Sequence, residues 1–396
     1  MSAVMTTRSV LFARGFRPFF LLAGVFGCAL PLVWVAILAG WLTPPRAWMP
    51  IWWHAHEMLF GFVAAAIAGF LLTAVPVWTG GRASSGGRLA AVVALWIAGR
   101  LAMLDGELLP RGVTAAVDLA FLPTLAAVLA PGLIAARQPR NYGFVPVLIA
   151  LFAANLMFHL DALGHFEGGA LRGLRLAVDL VMLLLVVIGG RIVPTFTANA
   201  LRREGTEPGL RSWPWVERLT VPAVVAVALA DGMAPRSVAS GLAAAVAALL
   251  LAVRVAGWQG HRVLRDPLLW SLHLGYAWVP VGLACLAASD WTGWPAPTIA
   301  LHALTAGAFG TMILAVMSRV PLGHTGRPFT AIPGIAVAYA LVTAGALLRS
   351  VGLVVWPAYA FPVTALAGLL WAAGFGVFTV LYAPILTAPR VDGRPG

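Results

Sequence analysis

Histidines stand near the ends of long apolar segments, and their chemistry makes them the most informative residues of the chain. The run WHAHE (residues 53–57) opens one segment, while His159 lies near the end of another and His302 near the start of a third. Imidazole binds copper, iron and zinc, and separate helices can each supply one ligand. A lone membrane histidine more often hydrogen-bonds a neighbouring helix. The four together predict metal binding by at least two of His54, His56, His159 and His302.

The spacing of the first two histidines limits how they can share an ion. Residues two apart on a regular helix point roughly 200° apart. His54 and His56 should therefore serve two centres on opposite faces, or a single ion if this first turn is unwound. Both alternatives stay open at this point.

Two further histidines and one arginine lie toward the other membrane face. His273 falls inside an apolar segment and is a candidate metal or haem ligand, with a hydrogen bond to a neighbouring helix as the alternative. His324 follows in a loop. Arg191, which precedes the helix-breaking Pro194, has the fork geometry to bind a haem propionate, or it is an ordinary arginine that snorkels to the interface.

Carboxylates at membrane depth are candidates for proton transfer or for orienting a ligating imidazole. Four of them lie in or at the ends of apolar segments: Glu57, Asp118, Asp161 and Asp179. For Asp161 and Asp179, pairing with Arg172 or Arg175 is an equal alternative. Asn155 stands one helical turn before His159, where it could orient that ring or line a cavity.

Composition shows which elements must position these residues. Of the 396 residues, 61% are hydrophobic and only 10% are charged. A soluble domain carries about a quarter charged residues. The apolar residues form long blocks rather than the alternation of an outer-membrane barrel. The sequence therefore predicts an all-α, polytopic transmembrane bundle of about 12 spans.

Three of the predicted spans are short or weakly bounded, namely the third, seventh and eighth: Leu89–Leu104, Val216–Asp231 and Ser237–Val255. All 26 basic residues are arginines, and they stand singly or in pairs at the edges of apolar blocks. That distribution orients a membrane protein and argues against nucleic-acid binding. Because most arginines fall on one side, both termini should be cytoplasmic and His54, His56, His159 and His302 should lie near the outer face.

No segment has the composition of a soluble domain, so residues 1–396 are predicted to form a single integral membrane domain. The longest polar stretch, residues 198–215, would be a cytoplasmic loop joining six-helix halves at 1–197 and 216–396. We see no residue-level repeat between these halves, so an inverted-repeat transporter has no direct support.

Several sequence blocks closely resemble the NnrS family: GFRPFF (15–20), WHAHEMLFGF (53–62), FLLTAVP (70–76), GRIVP (190–194), LHLGY (272–276), HALTAG (302–307) and GHTGRP (323–328). They extend from near the start of the chain to beyond the tenth span. The resemblance therefore covers most of the sequence, and its combined specificity is high.

The resemblance implies a multi-pass protein of the bacterial inner membrane that contains haem and copper and is linked to denitrification and to nitric oxide resistance. The sequence has no Cys-x-x-Cys-His motif, so the haem would be non-covalent and b-type. The family's histidine-bearing motifs contain His54, His56, His273, His302 and His324. The resemblance does not divide them between haem and copper.

The leading hypothesis is redox chemistry on nitric oxide, with a quinol or another donor supplying electrons and carboxylates supplying protons. Three alternatives compete with it. One is a non-enzymatic protein of nitrosative stress or metal homeostasis, another is a metal or small-solute transporter, and the third is a structural subunit of a larger respiratory complex. Membrane lipid is the only partner that composition itself implies, and the oligomeric state is not predicted.

Overall fold

The computed structural model describes residues 10–104 and 108–394, which form twelve helices and contain no strand. The prediction of an all-α bundle is confirmed. The predicted orientation of the termini stays a prediction, and the chain ends themselves lie outside the described residues. The helices run as follows: α1 Phe16–Leu38, α2 Pro50–Thr79, α3 Gly86–Leu104, α4 Arg111–Ala135, α5 Pro139–Ala162, α6 Gly169–Arg203, α7 Pro214–Met233, α8 Val238–Ala256, α9 Pro267–Thr292, α10 Pro297–His324, α11 Ile335–Val355 and α12 Pro357–Thr387.

Within the described part of the chain, eleven of these helices are long and apolar enough to cross a membrane. The exception is α7, which is also one of the three spans that the sequence bounds weakly. Its first turn carries Glu217 followed by Arg218, and both charges lower its mean hydropathy. The protein is therefore a multi-pass membrane protein.

Three helices contain a π-helical segment, in which each turn holds an extra residue. These segments are Glu57–Val63 in α2, Ala303–Phe309 in α10 and Leu348–Gly352 in α11. Two of them begin directly after a histidine, His56 in α2 and His302 in α10. π-Helical insertions are frequent at functional sites.

The chain divides into two compact units. The first contains residues 1–177, 319–329 and 378–396, and the second contains residues 178–318 and 330–377. The single domain and the six-helix halves inferred from the sequence stay predictions.

In the first unit, α1 packs along α2, α3 packs on the start of α4, and α4 packs on α5. Buried Arg17 joins α1 to the chain that ends α12, because its Nη1 donates to the carbonyls of Leu386 at 2.9 Å and Ala388 at 2.7 Å. These carbonyls have no partner within the helix, so the guanidinium satisfies acceptors that are costly to leave unpaired in lipid.

In the second unit, α8 packs between α7 and α9, and α9 packs against α10. Arg254 of α8 pairs with Glu217 of α7, and its Nη1 donates to the hydroxyl of Tyr276 at 2.8 Å. A Cβ on Gly190 would overlap this guanidinium. The Gly-Gly pair before Arg191 thus leaves space for the half-buried Arg254 and for Tyr276, to which it donates.

Candidate metal centre

Six polar side chains of the first unit meet in a buried cluster near the start of α2. His56 and Glu57 come from α2, Arg100 from α3, Asp118 from α4, and Asn155 and His159 from α5. All six are buried. Four helices thus bring together residues that are far apart in the sequence. We call these six residues the His56 cluster.

Asp118 is the centre of the His56 cluster. Its Oδ2 lies 3.2 Å from Nε2 of His56 and 2.9 Å from Nε2 of His159, and it accepts a hydrogen bond from Nδ2 of Asn155 at 2.7 Å. Its other oxygen, Oδ1, pairs with the guanidinium of Arg100. One carboxylate oxygen therefore faces both imidazoles, while the other is held by an arginine.

Glu57 orients the first imidazole. Its Oε1 lies 3.0 Å from Nδ1 of His56 and also pairs with Arg100, so the same guanidinium bridges both carboxylates. The second oxygen of Glu57, Oε2, is buried without a hydrogen-bond partner among the described residues. A carboxylate on the far nitrogen of an imidazole fixes the ring's orientation and raises its basicity as a ligand.

Nε2 of His56 faces only acceptors. Besides Oδ2 of Asp118, it lies 2.9 Å from Oδ1 of Asn155. The amide orientation is fixed because Nδ2 of Asn155 donates to Asp118. Nδ1 of the same ring faces Glu57, so with both carboxylates ionised each ring nitrogen needs a proton or a metal ion. Asn155 thus contacts His56, whereas its position in the sequence suggested His159.

Aromatic rings surround the two imidazoles. The ring of Phe158 lies 4.6 Å from that of His56 and the ring of Phe60 lies 5.0 Å from it, while Trp48 stands edge-on to His159 at 5.8 Å. These rings keep water away from the His56 cluster and lower the local dielectric, which strengthens every interaction between its charges.

The aromatic side chains Trp48 and Phe158 also line a pocket. Further residues of its lining include Trp52, Arg111 and Asp161. Asp161 accepts a hydrogen bond from the backbone N–H of Ala170 at 2.9 Å. The predicted proton-transfer residue therefore lies in a pocket that shares two aromatic rings, Trp48 and Phe158, with the surroundings of the His56 cluster.

Within the described chain, one group of side chains has the spacing of a metal site: His56, Asp118 and His159, whose ligand atoms all lie within 4.8 Å of one another. Bonds of about 2.0–2.2 Å to an ion place its ligand atoms at most about 4.4 Å apart, so small shifts suffice. Two imidazoles and one carboxylate suit copper, iron or zinc.

The other predicted residue of α2, His54, has different surroundings. Its ring stacks on Trp34 of α1 at 4.4 Å and 15°, whereas His56 faces Asp118. The two side chains diverge as residues two apart on a regular helix must. His54 is not part of the group with metal-site spacing, and its role as a ligand stays a prediction.

Three more predicted ligands lie elsewhere. In the second unit, His302 donates through Nδ1 to the carbonyl of Thr298 at 2.6 Å, and Nε2 of His273 lies 2.8 Å from the hydroxyl of Thr197. In the first unit, the ring of His324 lies 5.7 Å from that of Phe16. Metal binding by these three histidines stays a prediction.

The two remaining predicted residues belong to α6. Arg191 is exposed, and Asp179 is buried. Their predicted roles, in binding a haem propionate and in proton transfer, stay predictions.

Sequence reasoning underestimated two residues of the His56 cluster. It did not single out Arg100, and it named Asp118 only as one of four carboxylates at membrane depth. A charged residue inside an apolar segment was the available signal, because such residues persist in membranes mainly where they pair or bind something. Glu57 and Asp118 both needed a partner, and Arg100 is the cation between them.

Comparison with known proteins agrees with the motifs. Among curated proteins, none matches the chain closely enough to count as a relative. The sequence model of one family, described as NnrS protein, matches residues 10–390, which is nearly the whole chain. The protein therefore belongs to the NnrS family.

Proposed function

We propose that this chain is a copper- and haem-binding protein of the bacterial inner membrane that carries out redox chemistry on nitric oxide. The observation that carries the proposal is the buried group formed by His56, Asp118 and His159. The link to nitric oxide and the identity of the cofactors rest on the family resemblance. The rest of the argument concerns what the residues of the chain can do.

The His56 cluster suits a small cation. With both carboxylates ionised and both imidazoles neutral, Glu57 and Asp118 outnumber Arg100 by one negative charge. An uncompensated charge is costly inside a membrane. A monovalent copper ion on His56, His159 and Asp118 would neutralise the cluster, and a bound copper would supply one-electron redox chemistry.

The surrounding residues would hold these ligands in place. Glu57 fixes the ring of His56 through Nδ1, and Arg100 holds Oδ1 of Asp118 away from the ion so that Oδ2 faces the imidazoles. Outer contacts of this kind typically change metal affinity about 10–100-fold when they are removed. The buried arginine therefore acts as a positioning residue.

A small neutral molecule such as nitric oxide would reach the His56 cluster through the pocket. Trp48 and Phe158 belong to both the pocket lining and the aromatic shell, so a rotation of either ring would connect the two. Asp161, in the same lining, would pass protons inward. A quinol or another donor would supply electrons.

The haem fits His273 better than the His56 cluster, whose imidazoles are packed against aromatic rings. Thr197 holds Nε2 of His273, and Nδ1 is buried without a hydrogen-bond partner among the described residues. An axial histidine commonly has its other nitrogen fixed in this way. The backbone of Gly260 lies against Nδ1, so ligation requires that the turn at Gly260–Val263 moves aside.

Metal analysis of the purified full chain tests the copper site. We expect copper in the wild type, its loss in His159→Ala and in the isosteric Asp118→Asn, and wild-type content in His165→Ala. His165 is an exposed loop residue and serves as the matched control. Wild-type copper content in both cluster variants would refute the assignment.

Optical spectra test the haem site, with His273→Ala against the exposed His261→Ala as its control. We expect the haem absorbance to be lost only in the first variant, and an unchanged spectrum would refute the role of His273. Nitric oxide consumption with a quinol donor then tests the reaction. Metal-loaded protein that consumes no nitric oxide would instead support the stress, metal-homeostasis or transporter alternatives.

A further inference from the structure

The two helices that contain a histidine followed by a π-helical segment share a detailed pattern. Both α2 and α10 begin with proline, and in both a seven-residue π segment starts directly after the histidine, His56 or His302. A glycine stands at the same position within each segment, Gly61 and Gly307. A Thr-Gly pair then follows at the same distance from each histidine, at residues 79–80 and 325–326.

The π segments also make similar contacts. A tryptophan indole donates to a carbonyl in each, Trp96 to Gly61 at 3.2 Å and Trp371 to Ala306 at 3.3 Å. Each glycine leaves space for an aromatic ring from a neighbouring helix. Phe26 lies against Gly61, and Trp278 lies against Gly307. The two π segments, one in each unit, thus make the same kinds of local contact. Comparison of the two predicted sequence halves does not detect this similarity, because α2 and α10 share only a few residues at matching positions.

In both units, the helix after the one that contains this π segment carries a buried or half-buried arginine. Arg100 of α3 packs beside the π segment of α2. Arg349 lies in the π segment of α11, and that segment packs against Pro297–His302 at the start of α10. Arg100 and Arg349 therefore hold comparable places, each on an element packed against the histidine-bearing helix.

The charges around the two arginines differ. Arg100 is neutralised by Glu57, directly after the histidine, and by Asp118 on the next helix. The residue directly after His302 is Ala303, and the sequence contains no aspartate or glutamate from 291 to 391. Helices α10 to α12 therefore offer Arg349 no carboxylate.

Arg349 has an unsatisfied buried donor. Its Nη1 is buried and has no hydrogen-bond partner among the described residues. A snorkelling arginine would instead turn all of its guanidinium nitrogens toward water or headgroups. Arg349 as a whole is half-buried. A buried donor without a partner is unfavourable, whereas a bidentate carboxylate would satisfy both that donor and the charge of the guanidinium.

We propose that Arg349, beside the His302-bearing segment, binds a planar anion of the carboxylate class, which supplies from outside the chain the charge that Glu57 and Asp118 supply to Arg100. The guanidinium presents parallel N–H donors that match two oxygens on one planar centre. Free carboxylates and the carboxylate of a larger ligand share this chemistry. The site lies within the second unit and does not depend on copper at the His56 cluster.

Formate is the probe that tests this proposal, with the full chain purified in detergent. We expect formate to raise the Tm of the wild type above that in chloride at equal ionic strength, because a ligand stabilises the state it binds. Arg349→Gln should raise the apparent Kd for formate by at least about tenfold. Arg349→Lys should raise it by less, because lysine keeps the positive charge but lacks the parallel N–H donors of the guanidinium. An equal formate response in wild type and Arg349→Gln would overturn the proposal.

A second variant restores the missing carboxylate. Ala303→Glu places an acid directly after His302, where α2 has Glu57, and it should raise the Tm in chloride and abolish the formate response. A lower Tm with an intact formate response would contradict the proposal, even if Arg349→Gln does not fold. Inorganic phosphate supplies the last comparison, since phosphate binding as strong as formate binding would mean a lipid-headgroup site instead of a carboxylate site.

Discussion

The charge of individual residues decides what the His56 cluster can bind. Arg100 neutralises one of the two carboxylates, Glu57 and Asp118, and leaves one negative charge for a proton or a metal ion. Both ring nitrogens of His56 face acceptors, so a proton or a metal ion on this ring would compensate the remaining negative charge. The competition between a proton and a metal follows directly from this geometry.

We therefore predict that acid releases the metal from the His56 cluster. Neutral imidazole is the ligating form, so binding is strong at and above neutral pH and is lost as the pH falls. Wherever the metal-free cluster holds a proton in place of the ion, the apparent affinity should fall about tenfold per unit decrease in pH for each proton that the metal displaces. The pH dependence of the affinity is measured as the amount of metal that the protein retains after dialysis against a chelator at a series of pH values between 5 and 8.

The control for this prediction is His165→Ala, which should follow the wild-type curve because His165 is exposed. Retention that does not change with pH would mean that no imidazole ligates the metal. In that case the charge argument for the cluster would fail even if copper were present.

At the residue scale, the sequence predicted the histidines of the cluster better than their partners. His56 and His159 could be chosen because imidazole in an apolar helix is rare and because both were placed near the same membrane face. Arg100 and Asp118 could not be paired, because the sequence does not reveal which faces of α3 and α4 meet. That information depends on helix rotation and packing, for which periodicity within strongly apolar segments gives little signal.

At the element scale, the π segment Glu57–Val63 determines which way the side chains of α2 face after His56. An extra residue in the turn changes the rotation of everything that follows His56, and it allows Gly61 to approach both α1 and α3. The sequence predicted the helix but not its π segment, because a π turn has no clear composition. Tertiary contacts such as Trp96 Nε1 to the carbonyl of Gly61 stabilise it.

We predict that Gly61→Ala destabilises the protein by about 1–3 kcal/mol, as overpacking of a closely packed site does. The added Cβ would lie 2.5 Å from Cε1 of Phe26 and 3.3 Å from Cδ of Arg100, so the ring must move and the arginine must give slightly. Chemical unfolding in detergent measures the free energy, and metal analysis of the same variant should show weaker copper binding because Arg100 moves.

Gly87→Ala is the matched control for this prediction. Gly87 lies in the first turn of α3, and a Cβ there would meet nothing within 4 Å. Its free energy of unfolding should equal that of the wild type or exceed it by up to about 1 kcal/mol, because alanine favours the helix, and its copper content should not change. A Gly61→Ala variant that behaves like Gly87→Ala would show that the close approach at the π segment is not needed.

At the scale of the whole molecule, composition was sufficient to predict the class and nearly sufficient to predict the helices. Long apolar blocks have few alternatives to spanning helices, because lipid leaves every unpaired backbone group unsatisfied. The two compact units could not be inferred in the same way. Residues 319–329 and 378–396 belong to the first unit despite their position late in the chain, and only long-range contacts reveal this.

The arrangement of the arginines leads to a prediction about the whole molecule in the membrane. The segment from the end of α6 to the first turns of α7 contains four arginines (Arg202, Arg203, Arg211 and Arg218), whereas the loop between α1 and α2 contains only Arg46. Because positive loops stay in the cytoplasm, the α1–α2 loop and the nearby His56 cluster should lie toward the outer face. A metal or a small molecule would then reach the pocket from the periplasmic side.

Cysteine labelling in spheroplasts tests this orientation, after Cys28 and Cys285 are replaced by serine. Thr43→Cys, in the exposed α1–α2 loop, should react with a membrane-impermeant maleimide in intact spheroplasts. Thr206→Cys, in the exposed α6–α7 loop, should react only after the membrane is permeabilised, and both should react equally in detergent as the control. The opposite labelling pattern would place the His56 cluster toward the cytoplasm, so that its metal would have to come from inside the cell.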